Sequence, residues 1–288
     1  MKNYLKFFLL LGFVVLFFLG LTWLKSNYPQ IIPLVSKEEK VATDSGFAKA
    51  IAEAQKKAEE ERKRIEEEKK FIATYGPCRW IPILMYHHID DKPGWLYVDP
   101  STFASQMDYL VGKGYNTVTL PEVTSYLASG QIPGKPVIIT FDDGYRDVFN
   151  NAYPILRQRN LKATVFLITQ LMEGDQYLTW EQARELAGNP LITIGDHSLS
   201  HRSLASLSEE QIKDEIVSSK NILESQLGIK VNVFSFPYGG YNQTVGKYLT
   251  EAGFVAAVTS QSGYSCAKLP YGLRRIRIGR APLSNYGL

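Results

Sequence analysis

The chain has 288 residues, of which 45% are hydrophobic and 21% are charged, and it contains two cysteines. This apolar content excludes a wholly disordered chain, and two cysteines can form only one bridge, which excludes a disulfide-rich scaffold. The formal net charge of +3 gives no support to nucleic-acid binding, and residues 71–288 carry equal numbers of acidic and basic side chains. The excess lies at the amino terminus, where residues 1–36 hold three lysines and no acid.

An apolar segment without any charge covers residues 7–24. As a helix, these eighteen residues span about 27 Å, close to the ~30 Å hydrocarbon core of a bilayer. A cleavable signal peptide is the alternative, but it usually has an apolar region of about 7–15 residues followed by a small-residue cleavage site, which is lacking here. Because Lys2 and Lys6 precede the segment and only Lys25 follows it closely, we expect a transmembrane anchor, with residues 1–6 in the cytoplasm and the remaining chain outside.

The next segment, residues 25–70, is predicted to be a linker followed by a charged helical stalk. From residue 37 onward it is rich in Glu, Lys, Ala and Arg and contains no proline. Glu59 with Lys63, and Glu66 with Lys70, have the favourable i,i+4 order for a solvated helix. Sizeable apolar residues are too few for a coiled-coil seam. We therefore expect a polar helix that holds the following domain away from the bilayer.

Residues 71–288 are predicted to form one α/β domain in which strands and helices alternate. Six short apolar runs look like buried strands: 81–86, 137–141, 163–168, 191–195, 231–236 and 254–259. Helix patterns lie between them at about 101–113, 148–159, 179–187, 208–227 and 242–252. This alternation over about 215 residues favours a distorted (β/α) barrel of about seven parallel strands, with any chemistry at the carboxyl ends of the strands.

Side chains suited to catalysis follow directly after four of these predicted strands. They are His87 and His88 after the first strand, Asp142, Asp143 and Gly144 after the second, Asp196 and His197 after the fourth, and Pro237, Tyr238 and Gly239 after the fifth. The chain has four histidines, and all of them lie at two of these junctions. Because the carboxyl ends of parallel strands meet at one edge of a barrel, we expect these groups to lie near one another.

His197 and His201 form an H-x3-H pair, a spacing that puts two imidazoles on one face of a helical turn, as a metal ion needs. The alternative is a pair of surface or core histidines that bind nothing. Asp142 and Asp143 follow a buried strand, where two adjacent carboxylates are costly without a cation or a proton. Two histidines and an aspartate that leave one position open suit zinc or another divalent metal.

Two segments in this order, T-F-D-D-G at 140–144 and H-S-L-S-H at 197–201, resemble the first two motifs of polysaccharide deacetylases with the NodB homology domain (carbohydrate esterase family 4). The resemblance covers roughly residues 80–280. The segment F-S-F-P-Y-G at 234–239 matches the third motif only in part, because the arginine that the family usually has there is missing.

The resemblance implies a role for each matched residue. Asp142 matches the catalytic base. Asp143, His197 and His201 match the ligands of a divalent metal, for which zinc is the expected ion. The P-Y-G part of the third motif does match, and it implies that the backbone N–H of Tyr238 stabilises an oxyanion.

A second departure from the family pattern concerns the general acid, which usually comes from a late histidine. No histidine follows His201, so the remaining candidates are His87 and His88 in L-M-Y-H-H-I. This arrangement resembles the subgroup that deacetylates poly-β-1,6-N-acetylglucosamine, in which the histidine directly after Tyr is the acid, and this implies His87. A late segment, L-R-R-I at 273–276, makes Arg275 the natural replacement for the missing arginine, although a solvated edge strand is an equal alternative.

These residues together predict a metal-dependent hydrolase that removes N-acetyl groups from an extracellular or periplasmic polysaccharide, with poly-N-acetylglucosamine preferred. The expected partners are this substrate and the membrane. A peptidoglycan or chitooligosaccharide N-deacetylase and an O-acetyl esterase stay open as alternatives. An inactive glycan-binding module is a weaker one, because the chain retains a candidate for every catalytic group. Whether Cys78 and Cys266 form a bridge is left open by the sequence.

Overall fold

The computed structural model describes residues 37–132 and 134–288. The predicted cytoplasmic end, the transmembrane anchor and the first part of the linker, residues 1–36, lie outside the described residues. Within the described ranges, no helix is both long and apolar enough to cross a membrane. The predicted charged stalk is a helix over Lys37–Tyr75, which continues past the expected end at residue 70. The folded unit that carries the other elements begins at Glu68.

Short strands supply the framework of this unit. They are β1 (Cys78–Arg79), β2 (Ile83–Tyr86), β3 (His88–Ile89), β4 (Tyr97–Val98), β5 (Asn116–Thr117), β6 (Pro136–Phe141), β7 (Ala163–Leu167), β8 (Ile192–Asp196), β9 (Val233–Ser235), β10 (Ala256–Val258), β11 (Ser265–Cys266) and β12 (Ile276–Arg277). Seven of them pair in the order β10–β9–β8–β7–β6–β2–β12, and β5 adds to β6. Every pair in this sheet is parallel, as the alternation of strands and helices predicted.

The sheet is curled into a half-barrel whose two edges approach the same segment of chain. Leu273 forms a parallel bridge with Val258 of β10 at one edge. Three residues later, Ile276 of β12 pairs with Leu84 of β2 at the other edge. The segment from Leu273 to Ile276 therefore crosses the gap between the edges, and this places its side chains next to the ends of β6 and β9.

Helices cover the sheet between the strands. They span Pro100–Gly112, Leu120–Ser129, Tyr153–Gln158, Trp180–Ala187, Glu209–Lys213, Ser219–Leu227 and Gln243–Glu251, with π-helical turns at Val148–Ala152 and Asp214–Ser218. The predicted helix at 148–159 thus begins with a π-helical turn, and the one at 208–227 is interrupted by a π-helical turn. The helix Leu120–Ser129 was not expected, although Thr119 and Glu122 form a capping box at its start.

Alternate residues along each strand enter two separate apolar clusters. Leu84, Val165 and Phe234 face the larger cluster, which is formed with most of the helices. Ile83 and Phe166 face the smaller cluster on the other side of the sheet, which the helix Leu120–Ser129 covers. This burial on both faces explains why the strands read as continuous apolar runs.

The two cysteines form a disulfide between strands that are remote in the chain. Cys78 of β1 is bonded to Cys266 of β11, across a sequence separation of 188 residues. The two strands pair antiparallel, with these cysteines opposite each other. The bridge therefore joins the chain that leads into β2 to the chain that leads toward Arg275.

Candidate active site and metal centre

Asp143, His197 and His201 converge at the carboxyl ends of β6 and β8. The Nε2 atom of His197 lies 3.3 Å from Oδ1 of Asp143, and Nε2 of His201 lies 3.4 Å from the same oxygen. The three potential ligand atoms all lie within 4.8 Å of one another. The structure thus brings together the three residues that the sequence proposed as metal ligands.

The chemistry of these three groups fits a divalent cation. Oδ1 of Asp143 is buried and has no hydrogen-bond partner. Nδ1 of His197 lies 2.7 Å from the carbonyl oxygen of Ser235, which can only accept, so Nδ1 carries a hydrogen. In the neutral imidazole, Nε2 then presents its lone pair to Asp143. Burial lowers the pKa of His197, but the charges of Asp142 and Asp143 outweigh it and raise that pKa. The site therefore favours positive charge, which a metal can supply.

The H-x3-H pair lies in an irregular loop and not on the helical turn that its spacing suggested. Ser198 and His201 have φ values of 67° and 61°, a region that residues other than glycine rarely adopt. Oγ of Ser198 accepts a hydrogen bond from the N–H of His201 at 3.0 Å. The buried carboxylate of Glu215 accepts the N–H of Ser200 at 2.9 Å and also its hydroxyl. These bonds hold the loop in the conformation that aims both imidazoles at Asp143.

Glu215 and Asp196 are supporting residues. The sequence reasoning missed Glu215 and named Asp196 only as a residue that follows a predicted strand. Glu215 lies inside a predicted helix and carried no local signal. Oδ1 of Asp196, at the end of β8, accepts bonds from the N–H of Ser198 at 2.9 Å and from the hydroxyl of Ser219 at 2.6 Å. Burial raises the pKa of Asp196 to about 7, against the opposing effect of these hydrogen bonds.

Asp142 and Arg275 form a buried, two-bond ion pair beside the metal ligands. Nη1 and Nη2 of Arg275 lie 2.7 Å and 2.6 Å from Oδ1 and Oδ2 of Asp142. The exposed fractions are 3% for Asp142 and 1% for Arg275. The guanidinium also donates to Ser235, Thr140 and the carbonyl of Thr259. Arg275 is therefore not a solvated edge residue but a buried partner of Asp142.

This pairing fixes the charge of Asp142. Burial alone would raise the pKa of its carboxyl group, but the charges of Arg275 and His197 hold it well below its usual range. The carboxylate is therefore ionised at neutral pH and able to accept a proton. The bidentate contact also fixes the direction of both carboxylate oxygens.

The two adjacent histidines lie in different surroundings. His87 is half-buried, and its electrostatic neighbours are Asp142, Asp143, Arg275 and His197. Burial lowers the pKa of His87, and the two carboxylates, which act in the opposite direction, do not restore it. The structure thus places His87 among the groups of the candidate site.

His88 belongs to a separate cluster next to the site. Its Nδ1 lies 2.6 Å from Oδ2 of Asp147, and its ring is stacked between Tyr97 and Tyr145 at centroid distances of 4.1 and 3.5 Å. Asp147, which is at the start of a helical turn, makes no side-chain capping bond there and instead accepts the N–H of Ile89 at 2.8 Å. The contact of Nδ1 with Asp147 and the packing of the ring thus place His88 in this cluster.

Tyr238 lies in the short turn Pro237–Gly239 that follows β9. Its φ of 60° is in the left-handed region, as are those of Asp143 and His201. Its ring is 72% exposed and lies 4.9 Å from that of His201. Three of the predicted site residues thus share a rare backbone conformation, which is frequent at functional sites. The role of the Tyr238 N–H stays a prediction.

Residues 129–257 match the family model described as polysaccharide deacetylase. This range contains Asp142 and the three metal-site residues but neither His87 nor Arg275. The chain is also similar to whole proteins of known name and to solved structures.

The protein YxkH of Bacillus subtilis (strain 168), whose name describes a polysaccharide deacetylase, is 33% identical over 226 residues, which cover 78% of this chain and 80% of that protein. The poly-β-1,6-N-acetyl-D-glucosamine N-deacetylase of Escherichia coli (strain K12) is 22% identical over 245 residues, with 69% of this chain and 36% of that protein covered. The structure of the Streptococcus pyogenes deacetylase PplD in complex with acetate matches with a TM-score of 0.66 and 31% identity, over 70% of this chain and 93% of that one. The identity and extent of these matches show that the chain belongs to the polysaccharide deacetylase family.

Proposed function

We propose that this enzyme removes N-acetyl groups from poly-N-acetylglucosamine outside the cytoplasm, with zinc as its metal. The observation that carries the proposal is the juxtaposition of two units. One is the Asp143–His197–His201 cluster, and the other is the Asp142–Arg275 pair, with its carboxylate ionised and both oxygens oriented. A metal site next to an oriented base is what hydrolysis of an unactivated amide needs.

The choice of polymer is supported by the place of the acid. His87 comes from an early segment, and the described chain after His201 has no histidine. This arrangement resembles that of the poly-β-1,6-N-acetylglucosamine subgroup, and several relatives carry that activity in their names. Zinc is supported by a ligand set of two imidazoles and one carboxylate that leaves a position open.

The residues of the site divide the reaction among them. When bound by Asp143, His197 and His201, a divalent cation supplies Lewis acidity for the attacking water and the acetyl carbonyl. Asp142, held by Arg275, takes the proton of the attacking water. The proton on His87 passes to the sugar nitrogen as the C–N bond breaks and acetate leaves.

Two further groups stabilise the oxyanion and protonate the leaving amine. The backbone N–H of Tyr238 donates to the developing oxyanion, and its turn is fixed by the close approach of Gly239 to Ser260, where a Cβ would collide. The pKa of His87, lowered by burial, makes its protonated form a stronger acid toward the departing amine, while a smaller fraction of the imidazole is protonated at neutral pH.

A location outside the cytoplasm is supported by two independent features. The disulfide between Cys78 and Cys266 is of a kind that persists in oxidising compartments. The charge-free segment 7–24 with Lys2 and Lys6 before it has the form of an anchor whose amino end stays inside. We propose on these grounds a single-pass membrane protein with its catalytic domain in the periplasm or at the cell surface.

Acetate release by the purified full-length protein tests the function. The substrates are β-1,6-linked and β-1,4-linked N-acetylglucosamine oligomers, peptidoglycan and an O-acetylated glycan, each with and without a chelator. We expect release that is lost with chelator, recovered with zinc, and fastest on the β-1,6 oligomers. Release from peptidoglycan, β-1,4 oligomers or the O-acetylated glycan alone would select one of the alternative substrates, and chelator-insensitive release would contradict the metal site.

A further inference from the structure

We propose that a pocket beside the metal site binds the N-acetylhexosamine unit next to the one that is deacetylated, an inference that rests on the proposed function. The pocket, called here the tyrosine pocket, is lined by Tyr145, Gln170, Met172, Asp175, Gln176 and Tyr177 and has a volume of about 360 Å³. This volume lies within the ~300–1,000 Å³ range of small-molecule sites.

One metal-binding segment lines the tyrosine pocket, and the other is hydrogen-bonded to a residue of its wall. Tyr145 is two residues after Asp143, on the loop that follows β6. Gln170 is on the turn that follows β7, and its N–H donates to the carbonyl of Leu199 at 2.9 Å. Leu199 lies between His197 and His201. A polymer whose acetamide group reaches the metal ligands therefore has the tyrosine pocket next to it along the loop that follows β6.

One wall of the pocket is a tyrosine ring at the end of an aromatic stack. Tyr177 stacks on Tyr145 with ring centroids 5.2 Å apart and an interplanar angle of 26°. Tyr145 in turn stacks on His88, and His88 on Tyr97. Tyr177 ends this stack, because no aromatic ring in the described ranges packs on its other face. As a half-buried lining residue, Tyr177 offers apolar ring surface to the C–H face of a pyranose.

The loop that carries Tyr177 is held rigidly before any ligand arrives. Arg146 donates to three of its carbonyls, with its N–H 2.8 Å from Gln176, Nε 3.0 Å from Tyr177 and Nη2 3.0 Å from Gly174. The loop is closed further by the N–H of Leu178, which donates to Gly144 at 2.9 Å. Because the wall is already formed, binding of a ligand does not have to order this loop, and the entropy cost of binding is lower.

The polar groups of the pocket select a neutral sugar. Gln170, Asp175 and Gln176 are exposed and offer amide and carboxylate groups to hydroxyls and to an acetamide. Asp175 is the one carboxylate among the lining residues, and none of them is basic. A phosphorylated or uronic-acid polymer would place its negative charge against this carboxylate. An aromatic wall with a few exposed hydrogen-bonding groups instead fits an uncharged N-acetylhexosamine.

The test compares a disaccharide with a pentasaccharide of β-linked N-acetylglucosamine, using the full-length protein in its metal-loaded form. The measured quantity is the ratio of kcat/KM for the pentasaccharide to kcat/KM for the disaccharide. We expect a ratio well above one for the wild type. Tyr177→Ala should lower the ratio about tenfold, equivalent to roughly 1.4 kcal/mol of binding to the remote sugar.

Two further variants make the test decisive. Gln176→Ala, on the exposed rim, should lower the ratio in the same direction and does not depend on the stability of the tyrosine stack. Tyr264→Ala is the matched control, because Tyr264 is 61% exposed and packs on Trp80 away from the pocket. It should keep the wild-type ratio.

The outcomes separate the pocket from the function. No acetate release from either oligomer by the wild type overturns the proposed function and the pocket with it. Release with a wild-type ratio near one, or with a ratio that neither Tyr177→Ala nor Gln176→Ala changes, overturns the pocket alone. A fall of equal size in Tyr264→Ala also overturns it, because the effect would then not be local.

Discussion

Arg275 donates two hydrogen bonds of 2.7 and 2.6 Å to the carboxylate of Asp142, although the two residues are 133 positions apart in the chain. The pair is buried, and the guanidinium has partners for all its nitrogens. A buried ion pair is weak evidence for stability, but removal of one partner leaves a charge that neither water nor protein neutralises. Arg275 is therefore best understood as the group that keeps Asp142 ionised and aligned.

Replacement of Arg275 tests this relationship. In Arg275→Met the effect of burial is unopposed, so the pKa of Asp142 should rise and activity should be lost first at acidic pH. The free energy of unfolding should fall by about 3–5 kcal/mol. The pH profile of kcat/KM and urea denaturation measure the two effects. Arg277→Met, which removes an exposed arginine two residues later, is the control. An unchanged pH profile in Arg275→Met would contradict the role given to Arg275.

The two neighbouring histidines give a second prediction. His87→Gln should lower kcat by about 10²–10⁴-fold, the usual contribution of a general acid, while bound metal is retained. His88→Gln is the matched variant, and it should lower the Tm, because His88 packs between Tyr97 and Tyr145, with a much smaller effect on kcat. Steady-state kinetics and metal analysis of both variants decide the assignment. The opposite ranking of the two kcat values would make His88 the acid.

A third prediction concerns the metal. Asp143→Ala should lose bound metal after dialysis, because it removes the oxygen on which both histidine nitrogens converge. Elemental analysis gives the metal content per chain. Asp108→Ala is the control, since it removes an exposed carboxylate that contacts Arg159. Full metal content in Asp143→Ala would show that the ligand set is wrong.

The disulfide gives a fourth prediction. Reduction should lower the free energy of unfolding by about 2–5 kcal/mol, because the bridge restricts the unfolded chain across a long loop. The loop between Cys78 and Cys266 is one of the longest the domain could close, with a separation of 188 residues. Urea denaturation with and without reductant measures the effect. The free energy of unfolding of the Cys78→Ser/Cys266→Ser double variant should not change with reductant. Equal free energies of unfolding for the oxidised protein, the reduced protein and the double variant would refute the prediction.

Asp196 gives a prediction about stability and pH. Its folded-state pKa of about 7 lies above its unfolded value, so its proton stabilises the fold fully below about pH 4. That stability is lost as the pH rises through about 7, and the full effect is on the order of 4 kcal/mol. Asp196→Asn removes this dependence.

The measurement is the Tm of Asp196→Asn minus that of the wild type, taken with chelator present between pH 4 and pH 8. This difference should grow as the pH rises. Asp108→Asn, whose carboxylate is exposed, should show no such growth. A flat difference for Asp196→Asn would mean that Asp196 is already ionised in the fold.

Much of the site could be predicted from the sequence because of how parallel sheets are built. Their strands all end at one edge, so residues that directly follow apolar runs meet there without any knowledge of the packing. This placed Asp142, Asp143, His197 and Tyr238 at one end of the domain. The alternation of strands and helices likewise determined the parallel sheet, since short strands buried on both faces need covering helices.

Local sequence patterns could not predict the contacts between segments that are distant in the chain. From the sequence, Arg275 was equally consistent with a solvated edge residue and with a partner of the site. Only the curl of the sheet shows that it lies next to Asp142. His87 and His88 are adjacent, yet strand geometry turns neighbouring side chains in opposite directions, and only the positions of Asp147 and Tyr145 show which one faces the site. The sequence by itself determined which groups gather at the carboxyl ends, because that follows from strand order and periodicity. The tertiary structure alone decided which of them are paired, ionised and free to react, because burial and long-range ion pairs are properties of the packed chain.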